Sequence, residues 1–162
     1  MSNPTRTLSR TTEDFLYDAF YGGALGGSVI ALFFLVVDLV EGRPLYTPSL
    51  LGSVIFAGAA PSSVTEVRLD MVAYFTLIHL LVFGVLGMLF AFLFHEVELR
   101  ARRPIEVLLL FFLIFEGASL IAALVLAPGV TQQLGAFRVF LANLLAAAAM
   151  GAFLLVTHSR AG

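Results

Sequence analysis

Four long apolar runs dominate the chain, at roughly residues 19–37, 71–94, 105–127 and 139–156, with polar and charged residues gathered between them and at the ends. At 1.5 Å per helical residue these runs reach about 27–36 Å, against a bilayer hydrocarbon core of about 30 Å. Inside lipid there is no water to bond backbone N–H and C=O groups. Each run must satisfy them internally and is read as a membrane-spanning α-helix. The flanking residues agree. Thr11, with Asp14 three residues on, stands before the first run, and Ser63 with Glu66 fits a capping box before the second. Pro104 suits the first turn of the third, Pro128-Gly129 stops it, and Thr131 is placed to open the fourth.

A fifth apolar stretch, "GRPLYTPSLLGSVIFAG" at 42–58, is too short to span. It predicts a helix over about 48–57, with Thr47 as N-cap, Pro48 in the first turn and Gly58 closing it. Leu50, Leu51, Val54 and Ile55 share one face, and Ser49, Gly52 and Ser53 lie opposite. Such a helix reaches about 15 Å, half a membrane. It is expected to lie in the interface, apolar face down. A partner-docking surface and a re-entrant pore element are the alternatives. The expected fold is therefore an all-α membrane protein: a four-helix transmembrane bundle with a short amphipathic interfacial helix between spans 1 and 2. It forms a single integral membrane domain over 1–162, with a polar N-terminal tail at 1–12.

Composition sharpens this picture. Of 162 residues, 60% are hydrophobic and 12% charged, where a soluble domain carries about 25% charged residues. The mean hydropathy is +1.00. A water-soluble globule of this size cannot bury so much apolar surface. The absence of cysteine excludes disulfides, thiol chemistry and thiolate metal sites. A net charge of -2 offers no electrostatic footprint for nucleic acid. The polar, acidic N-terminus does not read as a signal peptide, and the first run is expected to stay as a span. Threaded through four spans, six arginines (Arg6, Arg10, Arg100, Arg102, Arg103, Arg160) fall on one side and three (Arg43, Arg68, Arg138) on the other. This bias places both termini in the cytoplasm, with the chain in the cell's inner membrane. Tyr17, Tyr21 and Tyr74 fall near span ends, where aromatic belts form.

Lipid supplies no hydrophobic push between helices, so close packing must hold them. Gly22, Gly23, Gly26 and Gly27 form two overlapping G-x-x-x-G pairs in the first span, and Ala142, Ala146, Ala147 and Gly151 make a smooth strip on the fourth. Packing within the bundle is the first reading, and a dimer seam the second. The phenylalanines Phe90, Phe92, Phe94, Phe111, Phe112 and Phe115 read as a ring-rich exterior.

Ionisable groups deep in lipid are costly and point to function. His79 and Glu116 lie near the midplane of the second and third spans, and a short loop makes those spans expected antiparallel neighbours. A His79–Glu116 hydrogen bond is therefore expected, with Asn143 of the fourth span as a third member. The alternatives are a polar clasp that fixes packing and a proton-relay or ligand site. Two or three mixed ligands fall short of a metal site. At one end, His95, Glu96, Glu98, Arg100, Arg102, Arg103 and His158 read as solvated helix ends. At the other, Asp38, Glu41, Arg43, Glu66, Arg68 and Asp70 read as a solvated collar.

No nucleotide loop, zincin motif or nucleophile–base pair is present, and an enzyme is not the expected class. The leading reading is a structural or accessory subunit that packs against other integral membrane subunits or against itself. A small proton or solute conduit on His79 and Glu116 is the second. Binding of a hydrophobic cofactor (quinone, pigment or haem) is the third, although no cofactor is predicted.

Overall fold

A computed structural model describes residues 4–99 and 104–159 of the chain. Within them run six α-helices: α1 Pro4–Val40, α2 Tyr46–Ala57, α3 Leu69–Leu99, α4 Pro104–Leu126, α5 Val130–Leu134 and α6 Ala136–Ser159. A 3-10 turn at Pro61–Ser63 joins α2 to α3, and there is no strand among the described residues. Four segments are long and apolar enough to cross a membrane: Thr12–Val40, Leu69–Leu93, Leu108–Leu126 and Ala136–Phe153. The chain is an all-α bundle of the multi-pass membrane type, with a shorter helix between its first two spans.

Several boundaries differ from expectation, each for a local reason. The first helix begins at Pro4, so Thr11 is interior to it and residues 4–12 of the polar N-terminal segment are helical. Proline is well suited to a first helical turn, and no breaker follows it. The capping box at Ser63 and Glu66 does not form. Ser63 Oγ donates instead to the Ala60 carbonyl at 2.7 Å, and α3 starts only at Leu69. Just before that start, the Arg68 N–H is taken by Ser49 Oγ of α2 at 2.8 Å. Gly135, at φ 84, separates α5 from α6, so Thr131 belongs to a short helix of its own. The arginines at 100, 102, 103 and 160 lie outside the described residues, as do the side chains of His95, Glu96, Glu98 and His158.

The helix order in space follows from where the small residues are. α1 is the central element, with α3 and α6 packed on it, and α4 leans chiefly on α6. The short loop between α3 and α4 does not make them principal neighbours. The glycines of α1 compete successfully for α3. A methyl group on Gly23 would run into the Phe83 carbonyl oxygen and lie 3.3 Å from Gly87 Cα. One on Gly87 would run into the Ala19 carbonyl oxygen and lie 2.9 Å from Gly23 Cα. Only glycine on both sides permits so close a backbone approach. Gly27 makes room for the Phe83 ring, and Gly26 for Met150 of α6. Gly22 is buried but has nothing within 4 Å of the place a β-carbon would take.

With α1, α3 and α6 drawn together, large rings fill the remaining space. Phe83, Phe90, Phe111, Phe115, Ala146, Ala147 and Met150 form one core. Phe90, Phe111 and Phe115 are 1%, 0% and 5% exposed, which corrects their expected place on the exterior; Phe92 does face outward. The Phe90 and Phe111 rings meet at 4.1 Å between centroids, a tilted pair of the kind aromatic quadrupoles favour. Gly151 lies beneath the δ-carbons of Leu108. Those carbons end a flexible side chain, so Gly151→Ala should cost within about 1 kcal/mol of unfolding free energy in detergent micelles.

A second core closes the α2 end of the bundle. Tyr46, Leu50 and Val54, one helical turn apart, pack with Phe34 of α1 and with Ala127, Val130, Leu134 and Ala142. On the neighbouring face Ser49, Gly52 and Ser53 are buried too, and a methyl on Gly52 would strike the Met71 carbonyl. The expected orientation of α2 is corrected here. Its small polar face turns inward against α3, and Leu50 and Val54 are consumed by the bundle; Leu51 and Ile55 remain half-buried. Small residues on that face let α2 seat closely against the start of α3.

Candidate functional site

Two polar arrangements stand out, one deep in the bundle and one at the α2 end. The deep residues are placed by helix register. His79 is ten residues beyond Leu69, and Glu116 ten before Leu126. Each is therefore about 15 Å from its helix's end on the α2 side, close to the midplane.

At that depth the expected His79–Glu116 bond is absent, and each residue has another partner. His79 Nε2 stands 3.0 Å from the Gly27 carbonyl oxygen of α1. A carbonyl only accepts, so Nε2 carries the proton and donates. The ring lies between Phe75 and Phe83, at centroid distances of 5.7 and 4.7 Å. Glu116 Oε2 instead accepts from Asn143 Nδ2 of α6 at 2.8 Å, and the same amide nitrogen reaches Ser119 Oγ at 3.1 Å. Glu116 and Ser119 are three residues apart on α4 and share a face, so one amide spans both. Asn143 is 4% exposed, and Glu116 is half-buried. The arrangement is two separate clasps, α1–α3 and α4–α6. The reason is the packing order: α3 is committed to α1, and the rings of Phe83 and Phe115 meet between the clasps at 5.8 Å.

Glu116 faces no cation among the described residues. Arg43–Glu41, Arg68–Asp70 and Arg138–Glu41 pair at the α2 end, away from Glu116. No group of three or more His, Asp or Glu side chains gathers as metal ligands among the described residues.

The network at the α2 end is built around Asp38, in the last turn of α1. Its carboxylate is 2% exposed. One oxygen accepts the Thr47 N–H at 2.7 Å and the other the Thr47 hydroxyl, also at 2.7 Å. Asp38 was expected in a solvated collar, and Thr47 as a cap. In the structure Asp38 is the buried cap, supplied by another helix, and Thr47 is its donor. A carboxylate here satisfies one orphan N–H group, that of Thr47, and complements the positive end of the α2 dipole. Leu45, at φ 65, makes the tight turn that brings Thr47 back to Asp38 and contributes no side-chain cap. Outside this clamp Glu41 is held by Arg43 at 2.6 Å and by Arg138 of α6. The Arg43 guanidinium lies 4.0 Å over the Tyr46 ring. The Tyr46 hydroxyl donates to the Val64 carbonyl at 3.1 Å. Asp38, Glu41, Arg43, Tyr46, Thr47 and Arg138, with Gln133 of α5, line a small cleft between α1, α2, α5 and α6.

The Arg138 hydrogen bond, and after it that of Arg43, holds the Glu41 carboxyl below the ordinary carboxylate range. A depressed folded-state pKa contributes stability above the unfolded value and loses it as pH falls through the folded one. The melting difference between wild type and Glu41→Gln should therefore be full at neutral pH. It should close only below the ordinary carboxylate range. Glu41 is open to solvent, and the gap should be small and shrink with salt.

Some of these features were visible in the sequence and some were not. Glu116, Ser119 and Asn143 carry polar side chains in apolar runs. The Gly27 carbonyl that binds His79 has no sequence signal, because every residue has one. Gly87 was not among the expected packing residues; its signal is a second glycine, with Gly84, in the middle of the second apolar run. Comparison with protein-family models, with curated proteins and with solved structures finds no match to this chain.

Proposed function

We propose that this protein is a structural or accessory subunit of a larger complex in the cell's inner membrane, with both termini in the cytoplasm. The observation behind this reading is the uneven cover of the four spans. Only 11% of the most apolar stretch of α4 is buried, against 28%, 22% and 33% for those of α1, α3 and α6. α4 nevertheless carries the midplane Glu116. A helix that brings an ionisable group to mid-membrane is expected to turn it toward protein or water rather than lipid. The conduit reading has less support, because its relay needs His79 and Glu116 in contact and each is bonded elsewhere.

The test is native mass spectrometry after mild detergent extraction from the protein's own membrane. A mass that includes other membrane polypeptides is expected. A mass that is a simple multiple of 17.4 kDa would overturn the proposal.

A further inference from the structure

We propose that Glu116 is the recognition point for a cationic side chain, Lys or Arg, at the middle of a partner's transmembrane helix seated against α4. This inference rests on the accessory-subunit reading and names the chemistry of the partner.

Three observations carry it. Glu116 is half-buried, and its hydrogen bonds come from Asn143 through Oε2 alone. The Asn143 amide is neutral: it orients the carboxyl and supplies no countercharge. Ionisable groups at this depth face the bundle interior or a water-filled cavity, and pair with one another or with backbone carbonyls. Among the described residues none offers Glu116 a cation. The chain contains no Lys, and each of its nine basic residues is an Arg at or beyond a span end. The described arginines nearest to a span, Arg43, Arg68 and Arg138, are already paired with Glu41 and Asp70. His79 is turned to Gly27 on the far side of Phe83.

The same fact decides the occupant. A second copy of this chain would bring another Glu116 to the midplane and no Lys or Arg, so charge complementarity selects a different protein. The bed for its helix is α4. Leu109, Leu113, Leu120 and Leu124 are each more than half exposed, on the helix least covered by the bundle. Asn143 and Ser119 hold the carboxyl in place before a partner arrives, which lowers the ordering cost of binding.

The experiment uses the full chain in phosphatidylcholine vesicles, with a synthetic Leu/Ala helix of about 20 residues as the probe. The probe carries either Lys or Leu at its centre, and association is read by fluorescence energy transfer. Wild type is expected to bind the Lys-centred helix about tenfold more tightly, or better, than the Leu-centred one. Glu116→Gln is expected to lose that preference. Glutamine keeps a carbonyl oxygen for Asn143, so the fold survives while the carboxyl group is removed, and an unchanged melting profile checks this. Equal binding of both helices by wild type overturns the inference, as does a preference that persists in Glu116→Gln. Self-association of wild type that Glu116→Gln abolishes also overturns it, because the occupant would then be a second copy. Extraction from the native membrane separates the two proposals. If Glu116→Gln co-extracts the same polypeptides in the same amounts as wild type, the inference falls and the accessory reading stands. Wild type extracted alone overturns both.

Discussion

Gly87→Leu should separate α1 from α3 and leave the chain unable to hold its native bundle. Even Gly87→Ala is expected to cost about 3 kcal/mol, at the upper end for overpacking. The obstruction is not a side chain that can swing away. A β-carbon at Gly87 meets the Ala19 carbonyl oxygen and the Gly23 backbone, with 2.9 Å to Gly23 Cα and Gly23 N. Two helix backbones would have to move apart. That movement would loosen Phe83 from Gly27 and break the His79 bond to the Gly27 carbonyl. Gly23→Ala should behave alike, because its β-carbon meets the Phe83 carbonyl. The control lies on the same helix: Gly84 has nothing within 4 Å of its missing side chain. Gly84→Ala should be neutral or stabilising by up to about 1 kcal/mol, through helix propensity alone. Denaturant titration of the three variants in mixed micelles, followed by circular dichroism, measures the ordering. Gly87→Ala and Gly84→Ala of equal stability would contradict the packing described for α1 and α3.

Removing the Asp38 carboxylate should release α2 from the bundle end. Asp38→Ala leaves the Thr47 N–H and hydroxyl without their acceptor in a buried place, where Thr47 is itself 3% exposed. Hydrogen bonds to a charged group contribute about 1.5–3 kcal/mol, and an abandoned buried donor adds its own penalty. A loss of about 3 kcal/mol is expected. Thr47→Val removes one of the two bonds and keeps the backbone one, and about 1 kcal/mol is expected. The readout should be local as well as global. Hydrogen exchange across residues 46–57 should rise in Asp38→Ala, while the Phe90–Phe111 core region stays protected. Unchanged exchange in α2 would show that the second core around Leu50, and not the clamp, holds this helix.

The two predictions differ in how legible their causes are. Gly23 and Gly27 announce a smooth face, and the sequence supports packing through them. It does not say which helix arrives. The short loop after α3 pointed to α4, yet the backbone approach at Gly87 gave α3 to α1. That choice then decided the midplane. With α3 committed to α1, His79 met a backbone carbonyl, and Glu116 was left to Asn143. Asp38 illustrates another limit. In sequence it is one acid among several near a span end. Its burial depends on a turn through Gly42 and Leu45, both at positive φ, that returns Thr47 to it, and the conformation at Leu45 has no composition signal.

The sequence by itself determined that the chain spans the membrane four times, where the apolar runs lie, that a short helix separates the first two, and which residues are polar at mid-depth. These follow from one-dimensional quantities: the length of an apolar run against the thickness of hydrocarbon, and the obligation of every backbone group in lipid to find a partner within its own segment. Only the tertiary structure decided the pairing of helices, the inward turn of the α2 small-residue face, the burial of Phe90, Phe111 and Phe115, and the partition of the polar residues into two clasps. In lipid the hydrophobic effect does not distinguish one apolar face from another. Which faces meet is settled by shape at the closest approach, and shape is a property of the assembled helices.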